Sequence, residues 1–566
     1  MTEESSFIAG DIQVKENNEK SERNSSKWKD AFIIVLALAC VGLALAFPFS
    51  RKFGKRTSNN QASETIPMNG ITEDGLTSYL GIPYALPPTG DRRLRPPVPH
   101  PMWSENANSD DFSATESKPG CLSGVEQLMQ ENFGVDFSDE KRSEDCLYMN
   151  IWAPDKKEKT EKLPVLVFIH GGSFLSGNAS RYETVGDDVA RKENIIVVSI
   201  QYRLGIYGFG YLGRDRSENI GHFEQGNFAL QDVRLALKTI YANIHRFGGD
   251  KEQITVMGNS AGGLTVATLL SDEAPVYMRA SGWPFYQKAV IQCPPMNLYM
   301  RTVEDIVAFN SKIINASGCS KLSCFQKLTT DEVAQAVSSS TNPYLMDLTV
   351  NALFGTPFAP IADNITAFNP FRNRFQQDIP TMIGINADEP TLYPPIGDNR
   401  DQLLKIEQDA IFDCGSRRLL EDQAESFMYI FDAVSPKAYK HWSRDYQWGN
   451  CEEKACHCTD TGYFFGKIPL DTENQKQAAK RIRSTITNFI KSEDTGLKNS
   501  NGGSFQNLIL TEPDSSVEPA KKNICEFWDK VFLLSENCAK GDKNSCFANW
   551  SKIIEAVQYL RSQKEQ

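Results

Sequence analysis

A chain of 566 residues, 40% of them hydrophobic, can bury a large core, and its length allows several domains without requiring them. The formal net charge is −12 with lysines and arginines scattered, which excludes the basic stripe that a nucleic-acid backbone needs. Thirteen cysteines, some as closely spaced as Cys319 and Cys324, favour an oxidising compartment over a reducing one.

Residues 1–30 are polar and mixed in charge, too poor in apolar side chains to offset the entropy of folding, and read as a disordered cytosolic tail. Residues 31–49 form an uncharged run of 19, close to the ~20 needed to cross the hydrocarbon of a bilayer as a helix. Basic residues flank it on both sides (Lys27 and Lys29; Arg51, Lys52, Lys55 and Arg56), so charge does not set its orientation. Sequons at Asn178, Asn315, Asn364 and Asn549, together with the cysteines, place the C-terminal side in the lumen or outside. The expectation is a type II signal anchor over 31–50. The alternative is a secreted protein, because Ala44-Leu45-Ala46 resembles a signal-peptidase site. A polar stalk over 51–66 follows, then one domain over 67–566 without an internal repeat or dividing linker.

Within that domain, Pro164–Ile169 and Ile195–Ile200 are continuous apolar runs of strand length, as expected where both faces of a sheet are covered. Leu230–Leu237 has helical spacing, Ile254–Met257 is again strand-like, and Leu264–Leu270 is helix-like. Strand, helix, strand, turn, helix predicts an α/β sheet with right-handed crossovers.

Between the last strand and helix lies Gly258-Asn259-Ser260-Ala261-Gly262-Gly263. A G-x-S-x-G in that context sets the serine on a tight bend with its hydroxyl in a cleft, glycines being needed where the backbones crowd. A serine hydroxyl is a weak nucleophile at neutral pH, so it needs a base, an acid to orient the base, and donors for an oxyanion. His170-Gly171-Gly172-Ser173-Phe174, at the end of a strand-like run, could supply such backbone donors.

These segments, with Glu144-Asp145-Cys146-Leu147-Tyr148-Met149-Asn150-Ile151-Trp152, Tyr202-Arg203-Leu204-Gly205 and Phe247-Gly248-Gly249-Asp250, occur in the order found in the type-B carboxylesterase and cholinesterase family. The chain resembles that family through most of the domain. The resemblance implies an α/β-hydrolase fold, a large and mostly parallel central sheet flanked by helices, here preceded by an N-terminal transmembrane helix. It implies oxyanion donors at the amides of Gly172, Ser173 and Ala261. Met382-Ile383-Gly384-Ile385-Asn386-Ala387-Asp388-Glu389 resembles the family segment that ends in the catalytic acid, which points to Glu389, with Asp388 as the competitor. Of the six histidines only His441 and His457 follow that acid, and Cys451–His457 with Tyr463-Phe464-Phe465-Gly466 resembles the family's histidine loop. The implied base is His457. The order Ser260, Glu389, His457 is that of α/β-hydrolases.

Cys456-His457-Cys458 could also suggest a metal site, but the cluster lacks a second well-spaced ligand pair; neither metal nor cofactor is expected. By resemblance, Cys121 pairs with Cys146, Cys319 with Cys324 and Cys414 with Cys525. Cys451 with Cys456 and Cys538 with Cys546 are pairings by proximity alone, and Cys293, where relatives generally carry serine, and Cys458 stay unassigned.

Cholinesterases hold quaternary ammonium over a tryptophan in the first cysteine loop, yet residues 122–145 contain none, and Asn259 stands where they carry glutamate. The expected activity is therefore hydrolysis of uncharged carboxylic esters through an acyl-enzyme, the substrate being a small molecule. Two alternatives stand beside it: a non-catalytic adhesion or receptor ectodomain, and an acyltransferase using the same triad. Oligomeric state is not legible.

Overall fold

The computed structural model describes residues 68–104, 112–133, 137, 141–155, 162–181, 184–211, 226–271, 284–297, 300–340, 358–363, 378–392, 400–421, 423, 425–434, 451–497, 506–508 and 523–528. The chain separates into two units, 1–63 and 64–566, and the described residues all belong to the second. The expected tail, anchor and stalk over 1–66 lie outside them. Among the described residues no helix is long and apolar enough to cross a membrane.

The centre of the second unit is a sheet of ten strands: β1 (Ile71–Glu73), β2 (Leu76–Pro83), β3 (Tyr148–Pro154), β4 (Leu163–Ile169), β5 (Ile196–Ile200), β6 (Gly249–Asn259), β7 (Lys288–Gln292), β8 (Thr381–Asn386), β9 (Ser426–Phe431) and β10 (Gln506–Leu508). Their spatial order is β10-β9-β8-β7-β6-β4-β5-β3-β2-β1. The run from β10 to β5 is parallel. The edge formed by β3, β2 and β1 is antiparallel.

The apolar runs read from sequence become the central strands because their alternate residues serve opposite faces. On β4, Val165, Val167 and Ile169 join one buried cluster while Leu166 and Phe168 join another; on β6, Ile254 and Val256 face the first and Met257 the second. Helix α2 (Phe228–Asn243) covers the first face with Val233, Ala236, Leu237 and Ile240. The second face receives α6 (Glu473–Lys491), whose Ala478, Ile482, Ile486 and Ile490 recur every four residues. A capping box between Thr472 and Gln475 starts that helix by satisfying amides its first turn leaves free. Between these two lie α3 (Ala261–Leu270), α4 (Val303–Ser317) and α5 (Thr459–Phe465), while α1 (Asp187–Glu193) precedes β5.

Two motifs from the sequence are structural braces. Arg203 donates from Nε and Nη2 to the two carboxylate oxygens of Asp232, at 2.8 and 2.7 Å, with both side chains buried. Arg93 forms the same two-pronged pair with Glu144, at 2.6 Å on each arm. A guanidinium fork matched to a carboxylate gives a directional tie that a lysine could not reproduce.

Candidate active site

In an open parallel sheet the carboxyl ends of the strands point to one edge, where the connecting loops gather. The site is assembled there from the ends of β4, β6, β7 and β8 and from the loop that leads into α5.

Ser260 directly follows β6 and precedes α3, with φ 54° and ψ −121°. That conformation costs a residue with a Cβ on the order of 1–3 kcal/mol, so the surrounding packing has to enforce it. Two contacts do so. The Ser260 amide donates to the Gln292 carbonyl at the end of β7, at 2.9 Å, and its own carbonyl accepts from Leu264 in α3, also at 2.9 Å. The tight approach of helix to strand explains the neighbouring glycine, since a Cβ at Gly262 would collide with the carbonyl oxygen of Ile169.

The glycine-rich loop after β4 carries Gly172 at φ 111°, followed by Ser173 at φ 55° and Phe174 at φ 61°. The Gly172 carbonyl accepts from the amides of Leu175 and Ser176, each at 2.9 Å, which folds the loop into a turn. Among the described residues the amides of Gly172, Ser173 and Ala261 have no protein acceptor, leaving them as the free donors an oxyanion hole requires. His170, the first residue of that motif, is buried and stacked on Tyr202, with ring centroids 4.5 Å apart. Burial lowers its pKa to about 4, so the ring is neutral and serves the loop's packing.

Asn259 also has a structural part. It is buried, and its Oδ1 accepts the Gly171 amide at 2.8 Å. The side chain before Ser260 therefore ties the strand leading to that serine to the glycine-rich loop.

His457 lies between Ser260 and Glu389. Its Nε2 is 2.7 Å from Ser260 Oγ and its Nδ1 is 2.6 Å from Glu389 Oε2. Of the two candidate acids, Glu389 is fully buried behind the imidazole. Asp388 instead faces outward to Lys454 Nζ at 3.2 Å. His441 lies outside the described residues.

A set of residues that sequence reading missed surrounds the acid. Glu389 Oε1 accepts from the amide and the side chain of Asn386, at 2.6 and 2.9 Å, and its amide donates to Gln408 Oε1 at 2.8 Å. Behind Asn386 lies Asp460, fully buried, whose carboxylate accepts from Tyr429, Gln292 and Asn386 side chains at 2.7, 2.9 and 3.1 Å. Burial first, and then repulsion from Glu389, raise the Asp460 pKa to about 6, against the pull of these donors. The only available signal was the bare presence of polar residues inside otherwise apolar segments.

Disulfides join Cys121 to Cys146, Cys319 to Cys324, Cys414 to Cys525 and Cys451 to Cys456. The two unassigned cysteines pair with each other, Cys293 to Cys458. Both cysteines beside His457 are thus bonded to sulfur, and the Cys456-His457-Cys458 run offers no thiolates to a metal. Cys538 and Cys546 lie outside the described residues.

The sequons divide. Asn178 is buried, with Oδ1 accepting from the Ser180 amide and the Gln201 side chain, both at 2.8 Å. In the folded chain the Asn178 side chain is thus held inside rather than presented at the surface. Asn315 is exposed near the end of α4, and Asn364 and Asn549 lie outside the described residues.

This geometry agrees with what the chain is similar to. The model of the carboxylesterase family matches residues 67–399. Mouse carboxylesterase 1E is 29% identical over 403 residues, which is 66% of this chain and 66% of that protein, just under two thirds of its length. The para-nitrobenzyl esterase of Bacillus subtilis is 36% identical over 225 residues, or 40% of this chain and 41% of the relative. A solved para-nitrobenzyl esterase superposes with a TM-score of 0.65 at 24% identity, covering 81% of this chain and 97% of the other, and so shares the α/β-hydrolase fold. With more than half of its residues inside the family model and the motif order intact, the chain belongs to the carboxylesterase family.

Proposed function

We propose that the protein is a serine esterase that hydrolyses uncharged carboxylic esters of small molecules. The observation that carries this reading is the continuous line of hydrogen bonds Ser260–His457–Glu389, 2.7 Å on one side of the imidazole and 2.6 Å on the other. His457 takes the hydroxyl proton as Ser260 Oγ attacks the ester carbonyl, and Glu389 holds the ring in the tautomer that leaves Nε2 free to accept it. The carbonyl oxygen becomes an anion within reach of the Gly172, Ser173 and Ala261 amides, which stabilise it without reorganising. His457 then donates its proton to the departing alcohol, and water, activated by the same ring, releases the acid from Ser260.

The neutral Asn259 and the first cysteine loop without tryptophan support uncharged esters over choline esters. Hydrolysis of a chromogenic short-chain ester by the wild type, at least 1,000-fold (about 4 kcal/mol) above Ser260→Ala, is the expected result. Equal inertness of both proteins towards the ester contradicts the proposal.

The uncharged run 31–49 supports a single-pass anchor over 31–50 with the esterase in the lumen or outside, and Asn315 as a glycan carrier there. Glycosidase digestion and N-terminal sequencing test this, and a mature start at Phe47 contradicts it.

A further inference from the structure

We propose that the Cys293–Cys458 disulfide is the positioning element of the base, and that its reduction to two thiols lowers the turnover of the esterase. The inference rests on the esterase reading above.

The bond lies at the site by connectivity. Cys293 directly follows β7, whose last residue, Gln292, receives the Ser260 amide. Cys458 directly follows His457. The disulfide therefore fastens the base to the strand neighbouring the nucleophile, across 165 residues of chain. The second bridge at His457, Cys451–Cys456, spans only five residues and shapes the loop locally without fixing it to the sheet.

Backbone conformation points the same way. Cys293 has φ 43° and Cys458 φ 58°, both in the left-handed region that disfavours a residue with a Cβ. Cys293 after β7 and Cys458 before α5 hold this conformation at the two ends of one covalent link; the Cys293 amide also donates to the Gly384 carbonyl at 2.7 Å and the Cys458 carbonyl accepts the Thr461 amide at 3.1 Å, and the link ties the two positions together. With the link opened, each residue is free to relax, and His457 is attached to one of them.

The bridge is buried beside the base. Cys293 is fully buried and Cys458 nearly so. The ligating atoms of Cys293, His457 and Cys458 lie within 4.8 Å of one another, so the bridge is a near neighbour of the imidazole. Two thiols take more room than one S–S bond, so in this buried space a neighbour shifts, and the ring lies on a loop. The balance of the step is simple: a dithiol reductant gives two electrons and two protons to the bridge, leaves as its cyclic disulfide, and the protein gains two S–H groups.

The test uses the full chain. Cys293→Ser combined with Cys458→Gly removes the bridge while giving position 458 a residue at ease at positive φ. With a neutral chromogenic ester the expected result is a fall in kcat of at least tenfold, KM within twofold, and an altered acid limb of the kcat/KM pH profile, because the base itself has moved. Cys319→Ser with Cys324→Ser removes a bridge outside the site and should leave kcat unchanged. Should the first variant not fold, wild-type protein titrated with a dithiol, with opened bridges mapped by alkylation and mass spectrometry, gives the same reading. A kcat and pH profile like those of the wild type, with the Cys293–Cys458 bridge absent or open, overturn the proposal. A wild type inert towards esters instead overturns the esterase reading, and this inference with it.

Discussion

Asn259 Oδ1 accepts the amide of Gly171 at 2.8 Å, joining the end of β6 to the loop after β4. The two halves of the site, Ser260 and the glycine-rich loop, come from different strands, and their spacing depends on such cross-links. If this bond is the brace, Asn259→Ala leaves the Gly171 amide unpaired at a cost of about 1–3 kcal/mol in stability. Loosening the loop should lower kcat about 10- to 100-fold. Asn259→Asp keeps an acceptor at the same place and should retain most of the activity. Thermal denaturation with steady-state kinetics on both variants checks this, and equal losses in the two would contradict it.

The acid is assigned by orientation. Glu389→Gln keeps the volume but removes the charge that stabilises the imidazolium, and kcat should fall about 10³- to 10⁴-fold. Asp388→Asn breaks only a partly exposed contact to Lys454, and such pairs contribute about 0–1 kcal/mol. Its kcat should stay within about threefold. Reversal of this ranking in a direct kinetic comparison would transfer the role to Asp388.

Asp460 gives a pH signature. Its pKa rises from 3.8 in the unfolded reference to about 6 in the folded protein. Between those values the folded state holds a proton that the unfolded chain has released, so stability falls as pH rises, by up to about 1.4 kcal/mol for each pH unit. The Asp460→Asn variant lacks this contribution, and its denaturation midpoint should decline less than the wild type's between pH 4.5 and 7. Parallel midpoint curves for the two proteins are the contrary result.

The parts of the site that sequence carried were those where chemistry demands a residue type inside a short motif. Ser260 in its glycine bend and the glycine-rich loop were legible because neighbours along the chain define them, and His457 through the resemblance of its loop to the family's. The strands were legible too, because Pro164–Ile169 and Ile195–Ile200 had to be covered on both faces. Asn386, Gln408 and Asp460 were not, since their bonds join β8, the segment after it and α5, and only the sheet topology brings those together. The Cys293–Cys458 pairing was hidden for the same reason. Asn178 shows the converse: a three-residue sequon says nothing about burial, and the fold placed it against Gln201. Asn259 was noticed for the charge it lacks, while the structure uses it for the hydrogen bond it makes.

The central claim is that Ser260 is a nucleophile activated by His457. Labelling with an organophosphate, followed by peptide mass spectrometry, reads this without assuming a substrate. The account predicts one phosphoryl adduct per chain, on the peptide that contains Ser260, forming at least 100-fold more slowly in His457→Ala. No adduct in the wild type, an adduct on another residue, or an unchanged labelling rate in His457→Ala would contradict it.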